Sequence, residues 1–214
     1  MIHALPGMGA DHRMYPAPWS TLPSFIASDW PRYAGEITIE DIARSFCAAN
    51  RVVDGDILVG ASLGGMVAGA ITRIRHIPQL YLIGSAVHPG DVNALLSALH
   101  PLAKIAPIDL LRFSAGSIPA DLSQMFATVD ALFLRAMCAA IFDWKGLGMS
   151  DTQVFRVHGL HDHVIPPPRT ADLFLDGGHL IAMTHAQECV DFIRANLPPS
   201  PSASEGNPAT ETTN

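Results

Sequence analysis

Along this chain, short apolar runs alternate with longer segments in which apolar residues recur every three or four positions. The first run predicts a strand over residues 2–5, closed by a loop built on Pro6, Gly7 and Gly9, and a weaker strand follows at 25–27. Thr38, with Asp41 three positions on, reads as a capping box. It opens a helix that sets Ile39, Ile42, Ala43 and Phe46 on one face. Residues 56–59 form a bounded apolar strand, 66–74 a helix, and 79–83 another strand that ends at Gly84. From 91 to 144 the spacing is helical, as in Leu95, Leu96 and Leu99 and then Leu132, Leu134, Met137 and Ile141, with Pro101, Pro107 and Pro119 as punctuation. Strand patterns return at 153–157 and 171–175, and a closing helix covers 184–197.

Strands alternating with helices predict an α/β fold, a mostly parallel sheet with helices on both faces. The helical stretch after the strand at 79–83 is then expected to lie as a cap over one edge. This divides the chain into a first core part (1–87), a helical cap insertion (88–148), a second core part (149–197) and a tail (198–214). The tail is Pro, Ser, Thr, Asn and Gly with almost nothing apolar, so it is expected to be disordered.

Composition narrows the function classes. In 214 residues, 49% are hydrophobic and 15% charged, which provides one sizeable core and argues against a disordered or coiled-coil chain. The net charge is -7 with no lysine or arginine cluster, so neither nucleic acid nor an anionic membrane surface is an expected partner. Cys47, Cys138 and Cys189 match no zinc spacing and no disulfide framework and are expected as free thiols. No signal peptide is evident at the N-terminus. The longest uncharged stretch, between Asp56 and Arg73, is too short for a spanning helix and is interrupted by glycines. A cytoplasmic location is therefore the expectation.

The sharpest chemical signal is Gly60-Ala61-Ser62-Leu63-Gly64, set between an apolar strand and a helix. A serine at such a turn takes a strained backbone, and tiny neighbours two before and two after keep the strand and helix from colliding. A serine alone is a poor nucleophile and needs a base oriented by an acid. The last quarter of the chain offers both: Asp162, in the loop 159–166 after a strand, and His179, after Asp176-Gly177-Gly178. Asp176 is a rival acid and His185 a rival base. Loop position favours Asp162, and the placing of His185 inside the closing helix favours His179. His158, His161 and His163 with Asp162 suggest a metal cluster, but their spacing is wrong for one, and no metal or other cofactor is expected. His161 and His163 are read as rim residues. His3 either hydrogen-bonds the 6–9 loop or is merely structural. Asp11, Arg13 and Tyr15 either fix that loop or touch substrate, and Ser85 reads as an ordinary turn residue.

With the serine, acid and histidine in this chain order, residues 1–197 resemble a small member of the α/β-hydrolase superfamily, of the serine esterase or lipase-like type. The resemblance implies a fold reduced at the N-terminus, lacking a leading hairpin, and with the helix between acid and histidine cut to a turn near Pro166, Pro167 and Pro168. It also implies Ser62 as nucleophile, His179 as base, Asp162 as acid, and an oxyanion hole from two backbone amides. One amide belongs to Leu63. The other is assigned to Met8, although Pro6 stands where the family commonly carries histidine. The expected activity is cleavage of a carboxylic ester, lactone or thioester through an acyl-enzyme on Ser62. The expected substrate is small to medium and partly apolar, because residues 91–144 contain only Lys104, Arg112 and Arg135 as basic side chains. Leu95, Leu99, Phe113, Phe126 and Phe133 are candidate pocket residues. Rival readings are a lyase or carbon–carbon hydrolase of the same fold, or a ligand-sensing binding protein. The sequence leaves monomer and homodimer equally open.

Overall fold

The computed structural model describes residues 1–92, 125 and 129–199. Six strands form the sheet: β1 (Ile2–Leu5), β2 (Phe25–Ala27), β3 (Ile57–Ala61), β4 (Gln79–Ile83), β5 (Gln153–Gly159) and β6 (Leu173–Leu175). Their spatial order is β2-β1-β3-β4-β5-β6, and every pairing is parallel. The helices are α1 (Ile39–Asn50), α2 (Leu63–Ile71), α3 (Ala131–Asp143), α4 (Ile181–Thr184) and α5 (Ala186–Asn196). Among the described residues no helix is long and apolar enough to cross a membrane.

Every residue of β1, β3 and β4 is buried, as expected of a parallel sheet covered on both faces. Side-chain alternation splits the core in two. On one face Leu58, Leu80 and Leu82 pack with Ile42 and Phe46 of α1, Met66 of α2, and Met137 and Ile141 of α3. On the other, Val59, Tyr81 and Ile83 pack with Trp19 and with Ile181, Cys189 and Ile193 of α4 and α5. The registers Leu5↔Gly60, Ala61↔Ile83 and Gly159↔Leu175 bring the C-terminal ends of the strands to one edge, where the segments that follow β1, β3, β4, β5 and β6 meet.

Local chemistry sets the element ends. Thr38 Oγ1 accepts the Asp41 amide at 3.0 Å and caps α1. Helix α2 begins at Leu63, three residues before the expected start, and ends at Ile71. Gly64 and Gly65 read as helix breakers by propensity, but they lie against β1 and β3, where larger residues have no room. The closing helix is two helices, α4 and α5, broken at His185, whose φ of -127° and ψ of 39° are not helical. Strand β6 is shorter than the 171–175 pattern, and β5 runs on to Gly159.

Part of the expected 88–148 insertion is described, and its helix α3 is capped by Asp130, which accepts the Leu132 amide at 2.7 Å. Residues 200–214 of the expected tail lie outside the described residues. The three cysteines are free thiols, Cys47 and Cys189 buried and Cys138 half-buried.

Candidate active site

Ser62 joins β3 to α2 with φ 52° and ψ -121°, a positive φ that costs a non-glycine residue about 1–3 kcal/mol. Three hydrogen bonds hold it there. Its amide donates to the Ile83 carbonyl at 3.2 Å, and its own carbonyl accepts the Gly65 amide at 3.0 Å and the Ser85 hydroxyl at 2.7 Å. The flanking glycines have steric reasons: a Cβ on Gly60 would stand 2.5 Å from the Gly64 carbonyl oxygen, and one on Gly64 2.5 Å from the Pro6 carbonyl oxygen.

Ser62 Oγ lies 3.0 Å from His179 Nε2, and His179 Nδ1 lies 2.9 Å from Asp162 Oδ2. With a carboxylate at Nδ1 the ring proton sits on that nitrogen, leaving Nε2 to accept from the serine hydroxyl. All three residues are buried. The loops carrying Asp162 and His179 are stitched together: Leu160 N–H donates to the Leu175 carbonyl at 2.8 Å, and His161 N–H to the Gly177 carbonyl at 2.9 Å. Any Cβ on Gly159 would collide with the carbonyls of Gly177 and Gly178, so this close approach requires glycine. Asp162 Oδ1 accepts the Val164 and Ile165 amides, both at 2.9 Å. Burial opposes the charged form of Asp162. The facing His179, the His158 N–H and the Ile165 amide outweigh it and hold the carboxyl well below the usual carboxylate range.

The loop after β1 lies beside the serine: a Cβ on Gly7 would be 3.5 Å from Ser62 Cβ. Its polar groups are largely committed. Leu5 O accepts the Tyr15 hydroxyl at 2.5 Å, Gly7 O accepts Trp30 Nε1–H at 3.1 Å, and Gly7 N–H points at Met14 Sδ at 3.2 Å. Among the described residues, neither the Met8 nor the Leu63 amide has an intramolecular acceptor. The Met8 sulfur meets the Cys138 thiol of α3 at 3.7 Å.

Asp176 is exposed and bound to His161 Nε2 at 2.8 Å, away from His179, and His163 is exposed. His185 Nδ1 pairs with Thr184 Oγ1 at 2.8 Å. His3 does not touch the 6–9 loop: it sits at the opposite end of the sheet, its Nε2 3.3 Å from Asp56 Oδ2. Arg13 pairs with Asp11, and Tyr15 fixes the loop through Leu5. Phe133 is buried against Trp30 and Tyr33. Leu95, Leu99, Phe113 and Phe126 lie outside the described residues. Sequence reasoning missed Ser85, Met14 and Trp30 as supports of this site. For Ser85 a signal existed, since it follows the strand that neighbours β3. The Met14 and Trp30 contacts depend on loop paths with no sequence pattern. Among the described residues the only cluster of three metal-type ligands is Asp11, His12 and Asp29, where Arg13 already occupies Asp11 and Asp29 already binds His12.

No protein-family model and no curated protein matches the chain. Solved structures do. An esterase from Thermogutta terrifontis superimposes with a TM-score of 0.69 at 17% identity, covering 91% of this chain and 88% of that one. The enol-lactonase from Burkholderia xenovorans LB400 gives 0.64 at 18%, covering 91% and 89%. An epoxide hydrolase from Bacillus megaterium gives 0.69 at 11%, covering 91% and 92%. Sheet order, parallel pairing and these superpositions together make the fold of this chain the α/β-hydrolase fold.

Proposed function

We propose that the chain is a serine hydrolase that cleaves a carboxylic ester, or the related lactone or thioester, through an acyl-enzyme on Ser62. The observation that carries this reading is the continuous hydrogen-bonded line from Ser62 Oγ to His179 Nε2 at 3.0 Å and from His179 Nδ1 to Asp162 Oδ2 at 2.9 Å. In it, Ser62 Oγ attacks the substrate carbonyl while His179 Nε2 takes the hydroxyl proton, and Asp162 stabilises the imidazolium that forms. The Met8 and Leu63 amides receive the developing oxyanion. The imidazolium then protonates the leaving alcohol or thiol, and His179 activates the water that releases the acid. Esterase and lactonase neighbours are consistent with this chemistry. The committed polar groups of the 5–7 loop support Met8 over Gly7 as the second donor. The partly buried apolar side chains at that loop, Met8 and Trp30, suit an acyl group of low polarity.

The test is hydrolysis of p-nitrophenyl acetate, butyrate and octanoate by wild type and Ser62→Ala, with intact-mass detection of fluorophosphonate labelling. Turnover and labelling that both disappear in the variant support the reading, and the chain-length profile sizes the pocket. Labelling without turnover moves the function to a lyase or a ligand sensor. An unlabelled Ser62 in folded wild type overturns the mechanism.

A further inference from the structure

Asp162 faces two imidazoles. His158 is the last residue but one of β5, with its side chain 1% exposed, and its Nε2 stands 2.9 Å from the Ile165 carbonyl and 3.4 Å from Asp162 Oδ2. A carbonyl can only accept, so that nitrogen carries a proton and directs it between the two oxygens. The Ile165 amide in turn donates to Asp162 Oδ1, so His158, Ile165 and Asp162 close a buried ring of contacts. Oδ2 is the oxygen that also receives His179 Nδ1–H. Arg156, two residues back on the same face of β5, has Asp91 as its ion-pair partner at 3.9 Å, so the groups set on the Asp162 charge are His158, His179 and the two backbone amides.

We propose that His158 is a positioning residue for the serine–histidine–aspartate array, fixing the acid loop through the Ile165 carbonyl and limiting how much of the Asp162 charge acts on His179. The inference rests on the serine hydrolase reading. Without the His158 N–H, the Ile165 carbonyl becomes a buried acceptor with no donor among the described residues, and the carboxylate is free to drift from the line to His179. Oδ2 also gains charge density, which favours the imidazolium form of His179. Orientation is thus lost while basicity is gained, and the two effects separate in a pH profile.

The experiment compares wild type, His158→Phe and His158→Gln. It measures kcat/KM for p-nitrophenyl butyrate against pH, Tm, and the low-field proton resonance of the His179–Asp162 hydrogen bond, which reports the pair independently of turnover. In His158→Phe, kcat/KM is expected to fall roughly ten- to hundredfold with KM little changed. The acidic limb should move up by about half a pH unit, and the proton resonance should move downfield. His158→Gln, whose amide N–H can replace the donor, should lie between Phe and wild type in all three. Should His158→Phe not fold, the Gln variant alone must show a smaller shift in the same direction. A lower Tm with unmoved acidic limb and unmoved resonance makes His158 merely structural and overturns the proposal. Wild type that shows no turnover and no Ser62 labelling sinks the hydrolase reading instead, and the resonance then decides on His158 alone.

Discussion

At the scale of single residues, the site depends on a backbone held where a serine does not rest by choice. The positive φ of Ser62 survives because its amide and carbonyl are both bound, and Ser85 supplies the one side-chain bond among these. Replacing Ser85 by alanine leaves the buried Ser62 carbonyl with the Gly65 amide alone. Urea unfolding is expected to show a loss of about 1–2 kcal/mol, with a several-fold slower reaction with fluorophosphonate. An equal labelling rate in Ser85→Ala would mean that the turn needs no such bond. Gly64→Ala is a harsher change, because the new Cβ meets backbone carbonyls of Leu5 and Pro6 that cannot rotate away. That variant should lose labelling altogether, or fail to accumulate as folded protein. Asp162→Asn should retain the fold and lose about 10³–10⁴ in kcat, because an amide no longer fixes the reactive tautomer of His179. A drop of less than tenfold would remove Asp162 from the mechanism.

At the scale of elements, Trp30 joins the sheet edge to α3 beside the Met8–Cys138 contact. Its indole N–H holds the Gly7 carbonyl, and its ring packs on Phe133 of α3 at a centroid distance of 5.4 Å. Trp30→Phe keeps an aromatic ring and removes the N–H, so it is expected to lower kcat by several-fold while Tm changes little. A change in KM with kcat untouched would instead assign Trp30 to substrate binding. Much of this element layer is legible in the sequence, and the reason is physical. Strands β1, β3 and β4 are buried on both faces, so they read as bounded apolar runs, and the glycines around Ser62 mark a collision that any larger residue would cause. Asp162 and His179 are legible for a similar reason, since each follows a strand that ends at the common edge. Boundaries were harder. Helix α2 takes Gly64 and Gly65 into its first turn because tertiary packing overrides propensity there. The break at His185 leaves no glycine or proline behind, and the contacts of Met14, Trp30 and His158 arise from loop paths that no periodicity encodes.

At the scale of the whole molecule, the two edges of the sheet carry opposite electrostatic problems, and both predict how stability follows pH. At the C-terminal edge the carboxyl of Asp162 is held below its usual range. Its contribution to stability is therefore complete above the unfolded-state value of about 3.9 and is lost as pH falls from there toward the folded value. At the N-terminal edge His3 is fully buried, with no well-formed hydrogen bond at either ring nitrogen. Burial lowers its pKa, more than the neighbouring Asp56 raises it, and the Met1 ammonium adds to the lowering. Below about 6.5 the unfolded chain takes up a proton that folded His3 refuses, so stability falls with pH until the folded value is reached. The slope contributed by that one group approaches about 1.4 kcal/mol per pH unit. Denaturant melts from pH 3 to 8 should thus show two separate declines in wild type. His3→Leu, which leaves Asp56 bound to the Val53 amide at 2.9 Å, should flatten the decline that begins below pH 6.5 and leave intact the one that Asp162 adds below pH 4. Asp162→Asn should do the reverse. A decline below pH 6.5 that is steeper in His3→Leu than in wild type would show instead that the imidazole is charged in the folded protein, because a proton held by an ion pair with Asp56 adds stability as pH falls, while parallel curves would mean that His3 titrates alike in the folded and unfolded chain.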